Sequence, residues 1–328
     1  MSLLDALDIG LAGVVLTVAA WTILIRSSFS AALGYAAYGL LLALIWARLA
    51  AIDVAIAEAA IGGGVTGVLL IGAARKLREA PQCEAERPPL PVRLAAAALC
   101  ALVALALGLV VMGLPRPSPG LSPLVREDLA ATGLGNPVTA VLMVFRSFDT
   151  LLEKIVLLLA VVGVWSLAQD RFWGGAPDLG APNAFAAAPA PQGALAFLAR
   201  TLPPFGLLVG VHLLWVSKDD PGGAFQGGAV IAAIWLIVMI ARLAPAPAVA
   251  SRRLRLALVA GPAVFLVVGL AGALFAGAAF ALPQGWSVPL ILIVEAFMTL
   301  TVAATLPTLV AGPPNAPPAR EDAPGGAP

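Results

Sequence analysis

Uninterrupted apolar runs, each long enough to cross a bilayer, limit this fold more than any motif does. A hydrocarbon core is about 30 Å thick and a helix rises about 1.5 Å per residue, so each crossing takes roughly 20 apolar residues. Such runs occupy residues 9–26, 30–49, 52–74, 94–114, 149–168, 200–217, 224–243, 254–280 and 288–311. Backbone polar groups in hydrocarbon must pair within the protein, which makes each run a helix. The alternating ten-residue pattern of an outer-membrane barrel does not occur. The chain has 328 residues, 61% of them hydrophobic and 11% charged, with a mean hydropathy of +0.99. Those values lie outside the range of soluble domains. The expected fold is all-α: a polytopic integral membrane bundle of about nine transmembrane helices.

Charge placement predicts an orientation. With the amino terminus outside, thirteen of the nineteen Lys and Arg fall on the inner side: Arg26, Arg75, Lys76, Arg78, Arg87, Arg93, Arg171, Arg200, Arg242, Arg252, Arg253, Arg255 and Arg320. The positive-inside rule then predicts an outer start and a cytoplasmic finish. Asp5 and Asp8 stand where a signal peptide has its basic region, so the first run is expected to be retained. Cys83 would face a reducing cytoplasm and Cys100 lies in a span, so no disulfide is expected. A net charge of +1 gives nucleic acid no basis for binding.

Breaks in the helical text divide the chain. The charged, Pro-rich segment 78–93 and the Gly, Pro and Ala-rich segment 172–195 read as linkers. They separate a three-helix block (1–77), a two-helix block (94–171) and a four-helix block (196–312), followed by a disordered tail (313–328). Pro115, Pro117, Pro119 and Pro123 make 115–135 an outer loop with a short surface element.

Acids inside apolar runs are the candidates for function, because an ionised side chain in hydrocarbon costs several kcal/mol unless water, a partner or a proton relieves it. Asp53 is expected near the outer interface. Glu58 follows about 7.5 Å deeper at helical rise, either as a proton or cation relay or as a structural acid bonded to a neighbouring helix. Gly63 and Gly67 suit close helix packing. A helix through 145–154 would align Arg146, Asp149, Thr150 and Glu153 in one polar stripe. That stripe is either the edge of a hydrated cavity or an interfacial anchor. Glu153 is its better functional candidate, while Lys154 points about 100° away. Glu295 is a third deep acid, structural or part of a relay. His212, the sole histidine, is either a packing residue or a proton carrier. Pro221, Gly222 and Gly223 form a tight outer turn, and Gly227 and Gly228 permit close packing. No Ser-His-Asp set, phosphate loop, metal-ligand set or cofactor-ligand set occurs, so neither catalysis nor a cofactor is expected of this chain.

Three of these stretches carry a family resemblance. "DVAIAEAAIGGGVTGVLL" resembles the MbhD-like segment of Mrp-type multisubunit cation/proton antiporters, usually close to PDVALTEAAVGAG, with Ile52 replacing the proline and Ala57 the threonine. "GNPVTAVLMVFRSFDTLLEK" resembles the MbhE-like segment that follows it, typically ending FRGFDTLGEI. There Ser147 and Leu152 replace glycines, and Lys154 adds a charge. "DDPGGAFQGGAV" is similar to the PGGGF-x-GG turn of the MnhB-like B subunit, from which Ala224 departs. The matches fall in the three blocks in order, as a fusion would.

The resemblance implies an accessory subunit of an inner-membrane complex related to the membrane arm of respiratory complex I. It implies large antiporter-like subunits and small helical subunits as partners, a sodium ion or proton as cargo, and a path through Glu58 and Glu153. Related modules also occur in hydrogenase-like, redox-driven complexes, and a purely structural scaffold is the third reading. The charge distribution makes a direct prediction. The amino terminus and the 217–223 turn face outward and the 75–93 linker faces inward, as single-cysteine labelling in a background without Cys83 and Cys100 will read. Inner-side labelling of the turn reverses the topology.

Overall fold

The computed structural model describes residues 3–79, 89–115, 120–177, 193–283 and 285–317. Its helices are α1 (Leu3–Leu24), α2 (Ser28–Arg48), α3 (Ile52–Glu58), α4 (Gly67–Glu79), α5 (Leu90–Gly113), α6 (Ser122–Thr132), α7 (Pro137–Ala140), α8 (Ser147–Trp165), α9 (Ala194–Val216), α10 (Ala224–Ile240), α11 (Arg252–Phe275) and α12 (Ser287–Ala311). A π-helical stretch, Ala59–Thr66, joins α3 to α4, and a second, Val141–Phe145, extends α7. Among the described residues there is no strand.

Every apolar run falls on a helix. Among the described residues, seven helices are long and apolar enough to cross a membrane, or eight if α6 and the α7 segment, bent by 88°, count as one span. Of the remaining two expected crossings, α8 carries Asp149, Glu153 and Lys154, and α10 has only 17 residues. The linkers at 78–93 and 172–195 and the tail lie largely outside the described residues, as does Cys83; Cys100 is a free thiol on α5.

Local chemistry sets several helix ends. Asn136 caps α7 by accepting the Val138 N–H at 2.9 Å, and Pro137 in the first turn has no N–H to leave unpaired. Gly133, at φ 75°, ends α6, and Ser251 caps α11. The expected loop 115–135 thus holds α6 and a sharp re-entry.

α1, α2 and the α3–α4 segment pack together, and Arg48 on α2 reaches back to Asp8 on α1 at 2.8 and 3.1 Å. α5 has no buried residue, the pattern of a helix whose side chains meet lipid or another subunit. The core lies among α8, α10, α11 and α12, where Met298, Ile291, Val294, Val302 and Leu258 are buried. At the end of the bundle opposite the 217–223 turn, Val249 and Ala250 donate to Gly175 and Gly174, and Asn315 and Ala316 donate to Ala176.

Missing side chains permit the closest approaches. A Cβ on Gly227 would lie 2.5 Å from the Gly210 carbonyl, and one on Gly228 would lie 2.6 Å from Val302 Cβ. Gly63 on the π-helical stretch meets Leu40, and Gly67 at the start of α4 meets Ala36, in the same way. Overpacking of this kind costs about 1–3 kcal/mol. Gly227→Ala and Gly228→Ala should therefore lower the thermal unfolding midpoint of the detergent-solubilised protein, whereas Gly10→Ala, with nothing within 4 Å, should not.

Candidate functional site

Polar side chains from three parts of the chain converge on the turn between α9 and α10. The geometry of α12 shows how deep this junction sits. Glu295 is eight residues into α12, about 12 Å from its start at helical rise, yet it meets both ends of the turn. Ser217, where α9 ends, donates its hydroxyl to Glu295 Oε2, and the Ala224 N–H at the start of α10 also interacts with the carboxylate. The short α10 thus begins well inside the bundle, its first turn directed at an acid, as in discontinuous membrane helices.

Asp53 belongs to this junction. It is 8% exposed, and its Oδ1 accepts the Gly222 N–H at 2.9 Å. Gln226 donates to the Asp53 carbonyl at 3.4 Å. Gly222 and Gly223 are both needed: a Cβ on Gly222 would strike the Leu213 carbonyl, and Gly223 sits at φ 143°, a conformation side chains resist. Pro221 is exposed at the tip.

The α6–α7 re-entry closes the junction from above. Asn136 donates its side-chain amide to the Asp220 carbonyl at 3.0 Å, and Thr139 donates to the Ser217 carbonyl at 2.7 Å. Gly135 and Asn136 give their N–H groups to the Lys218 carbonyl at 2.8 and 3.0 Å. Asn136 also interacts with the Asp53 carboxylate, so one amide touches all three segments.

On α8 the expected stripe is divided. The helix starts at Ser147, and Arg146 stands outside it at φ −133°, ψ 36°, because the π turn before it breaks the register. Arg146 pairs with Asp149 at 2.5 Å, both exposed. Thr150 is turned inward to the Leu142 carbonyl at 2.7 Å. Lys154, expected to point away, is the buried member at 2% exposure. Its Nζ donates to Glu153 Oε1 at 2.6 Å and lies 4.6 Å from the centre of the Phe225 ring. A cation so placed is held by charge and by the ring's negative face. The Glu153 side chain remains 49% exposed.

Glu58 is half-buried at the end of α3, and its Oε1 occupies the space a Cβ on Gly62 would fill. It therefore lies along the π-helical stretch, whose Ala60 and Val65 pack beside Phe225 on the α10–α12 core. His212 is exposed on α9, and no hydrogen bond brings it into the junction. Among the described residues, no group of three or more His, Cys, Asp and Glu could hold a metal ion.

Sequence reading misses Asn136, Thr139, Ser217, Phe225 and Gln226. The Asn-Pro step at 136–137 carries a local cap signal; the others become partners only through long-range contacts.

Helices of this length and apolarity around a buried polar junction define a multi-pass membrane protein. Two family models match: MbhD, the D-type component of MBH, over residues 3–79, and "Domain related to MnhB subunit of Na+/H+ antiporter" over residues 194–311. A segment matching the MbhD model and a segment matching the MnhB-related model thus stand in one chain. No curated protein matches it. Among solved structures, a chain of the Mrp complex from Dietzia sp. DQ12-45-1b is similar, with 23% identity and a TM-score of 0.72, over 96% of this chain and 35% of that one. The present chain thus spans about a third of that relative's length. A chain of the membrane-bound sulfane sulfur reductase, an archaeal respiratory membrane complex, is similar with 23% identity and a TM-score of 0.53, over 67% of this chain and 97% of that one.

Loss of the Asp53 carboxylate leaves the Gly222 N–H without its acceptor inside the bundle, at a cost of about 1–3 kcal/mol. Asp53→Ala should raise amide hydrogen exchange across 213–226, read by mass spectrometry. Unchanged protection would mean that the junction is held by other contacts.

Proposed function

We propose that this chain is an accessory subunit of an Mrp-like multisubunit cation/proton antiporter in the bacterial inner membrane. Glu58 and Glu153, with Asp53 and Asp149, supply part of its ion or proton path. The observation that carries this reading is the meeting of the MbhD and MnhB-related domains at Asp53, a buried carboxylate that accepts the Gly222 N–H. Such groups are costly in hydrocarbon and mark translocation routes. Glu153 is half-exposed beside the buried Lys154, which suits a group that exchanges with a hydrated space at a subunit contact.

Sodium is the cation we assign, on the name of the family matched by residues 194–311. The middle block, 94–171, acts as the MbhE-like segment. The Mrp chain's additional length supports large antiporter-like subunits as partners, joined by small helical subunits and lipid. The amino terminus lies outside and the carboxyl terminus in the cytoplasm. Ser217 is fully buried, so the exposed Asp220 is the better residue for labelling the turn.

A redox-driven complex is the second reading, favoured by the likeness to the sulfane sulfur reductase. The Mrp likeness extends over more of the chain and at a higher TM-score, which supports the secondary antiporter. Copurified iron–sulfur or nickel proteins would reverse that order.

Glu58→Gln keeps size and hydrogen bonding but cannot carry a proton. It should reduce cation-dependent proton exchange in vesicles by about tenfold or more with normal assembly, and Glu153→Gln should act in the same direction. Normal exchange in both variants across a range of pH would leave the acids as structural residues and the chain as a scaffold.

A further inference from the structure

Charge is distributed unevenly around the α9–α10 turn. Lys154 on α8 answers Glu153, and Lys218 in the turn pairs with its neighbour Asp219. Asp53 on α3 is bonded to Gly222, while Asp220 is exposed. α11 offers no titratable side chain between Leu256 and Phe275, and His212 on α9 is exposed. Glu295, 4% exposed, hydrogen-bonds to neutral partners among the described residues, the Ser217 hydroxyl and the Ala224 N–H. A carboxyl in this position carries either a proton or a charge supported by dipoles alone.

The Ser217 hydroxyl has one hydrogen and two acceptors within reach, Glu295 Oε2 and the Leu214 carbonyl at 2.8 Å. It cannot donate fully to both. A hydroxyl both donates and accepts, so the two directions match the two protonation states of the acid.

We propose that Glu295 is a proton-exchanging residue of the MnhB-related domain, with Ser217 as its two-way hydrogen-bond partner. When Glu295 is ionised, Ser217 donates to it. When Glu295 takes a proton, its O–H donates to Ser217 Oγ and the serine hydrogen turns to the Leu214 carbonyl. One proton passes between the carboxyl group and the aqueous path, and no other bond forms or breaks. The Ser217 carbonyl is held by Thr139 and the turn is held by Asp53, so the switch sits where all three segments are joined. This deepens the antiporter reading and rests on it.

The test uses the purified, assembled complex. In pH-difference infrared spectra, Glu295→Gln should remove a buried carboxylic-acid band that Glu58→Gln retains, and Ser217→Ala should keep the band but move its titration midpoint. In vesicles, Glu295→Gln should lower cation-dependent proton exchange by about tenfold or more. A spectrum unchanged in Glu295→Gln, or a midpoint unmoved in Ser217→Ala, overturns the proposal even if Glu58→Gln impairs exchange. Normal exchange in Glu58→Gln, Glu153→Gln and Glu295→Gln together overturns the path reading itself. If Glu295→Gln does not assemble, the midpoint in Ser217→Ala decides the matter.

Discussion

Hydrocarbon offers no hydrogen bonds, so every polar group that this bundle carries inward needs a partner supplied by the protein. The turn between α9 and α10 depends on that constraint most heavily. Two helix ends place their unpaired groups well below the start of α12, and the rest of the chain is arranged to satisfy them. Asp53 takes the Gly222 N–H, Asn136 and Thr139 serve the carbonyls of Asp220 and Ser217, and Glu295 takes the Ser217 hydroxyl. These bonds cross the divisions of the sequence and tie an MbhD domain to an MnhB-related one.

The same constraint accounts for Lys154. An ammonium at this depth is tolerated because one face meets the Glu153 carboxylate and another the Phe225 ring. With Lys154 turned inward, its neighbour Glu153 is turned toward the open side of α8. Acid and base thus divide between the inside of the bundle and its boundary. Close packing makes room for this arrangement: without glycine at 210, 227 and 228, α10 could not lie near enough to α9 and α12.

Much of the helical architecture is legible in the chain. Apolar runs of crossing length mark the helices, because length and hydropathy answer directly to bilayer thickness. The acids are legible as exceptions in those runs, Glu58 and Glu295 among them. The stripe on α8 is not, because its alignment requires a straight helix through Arg146. The π turn at 141–145 shifts the register, and nothing in local apolar periodicity announces it. The inward direction of Lys154 is hidden for a different reason: a wheel angle gives only relative direction. Which side is inside depends on where α10 packs.

Sequence alone determined that this chain is an all-helical membrane protein with a few acids in its spans, since the cost of exposing backbone or charge to hydrocarbon is a property of each segment by itself. Tertiary structure alone decided which polar groups meet. Asp53 and Gly222 are 169 residues apart, and Ser217 and Glu295 are 78 apart. No local rule links positions so distant; they come together because unsatisfied groups from separate helices have only one another to bond in a medium without water.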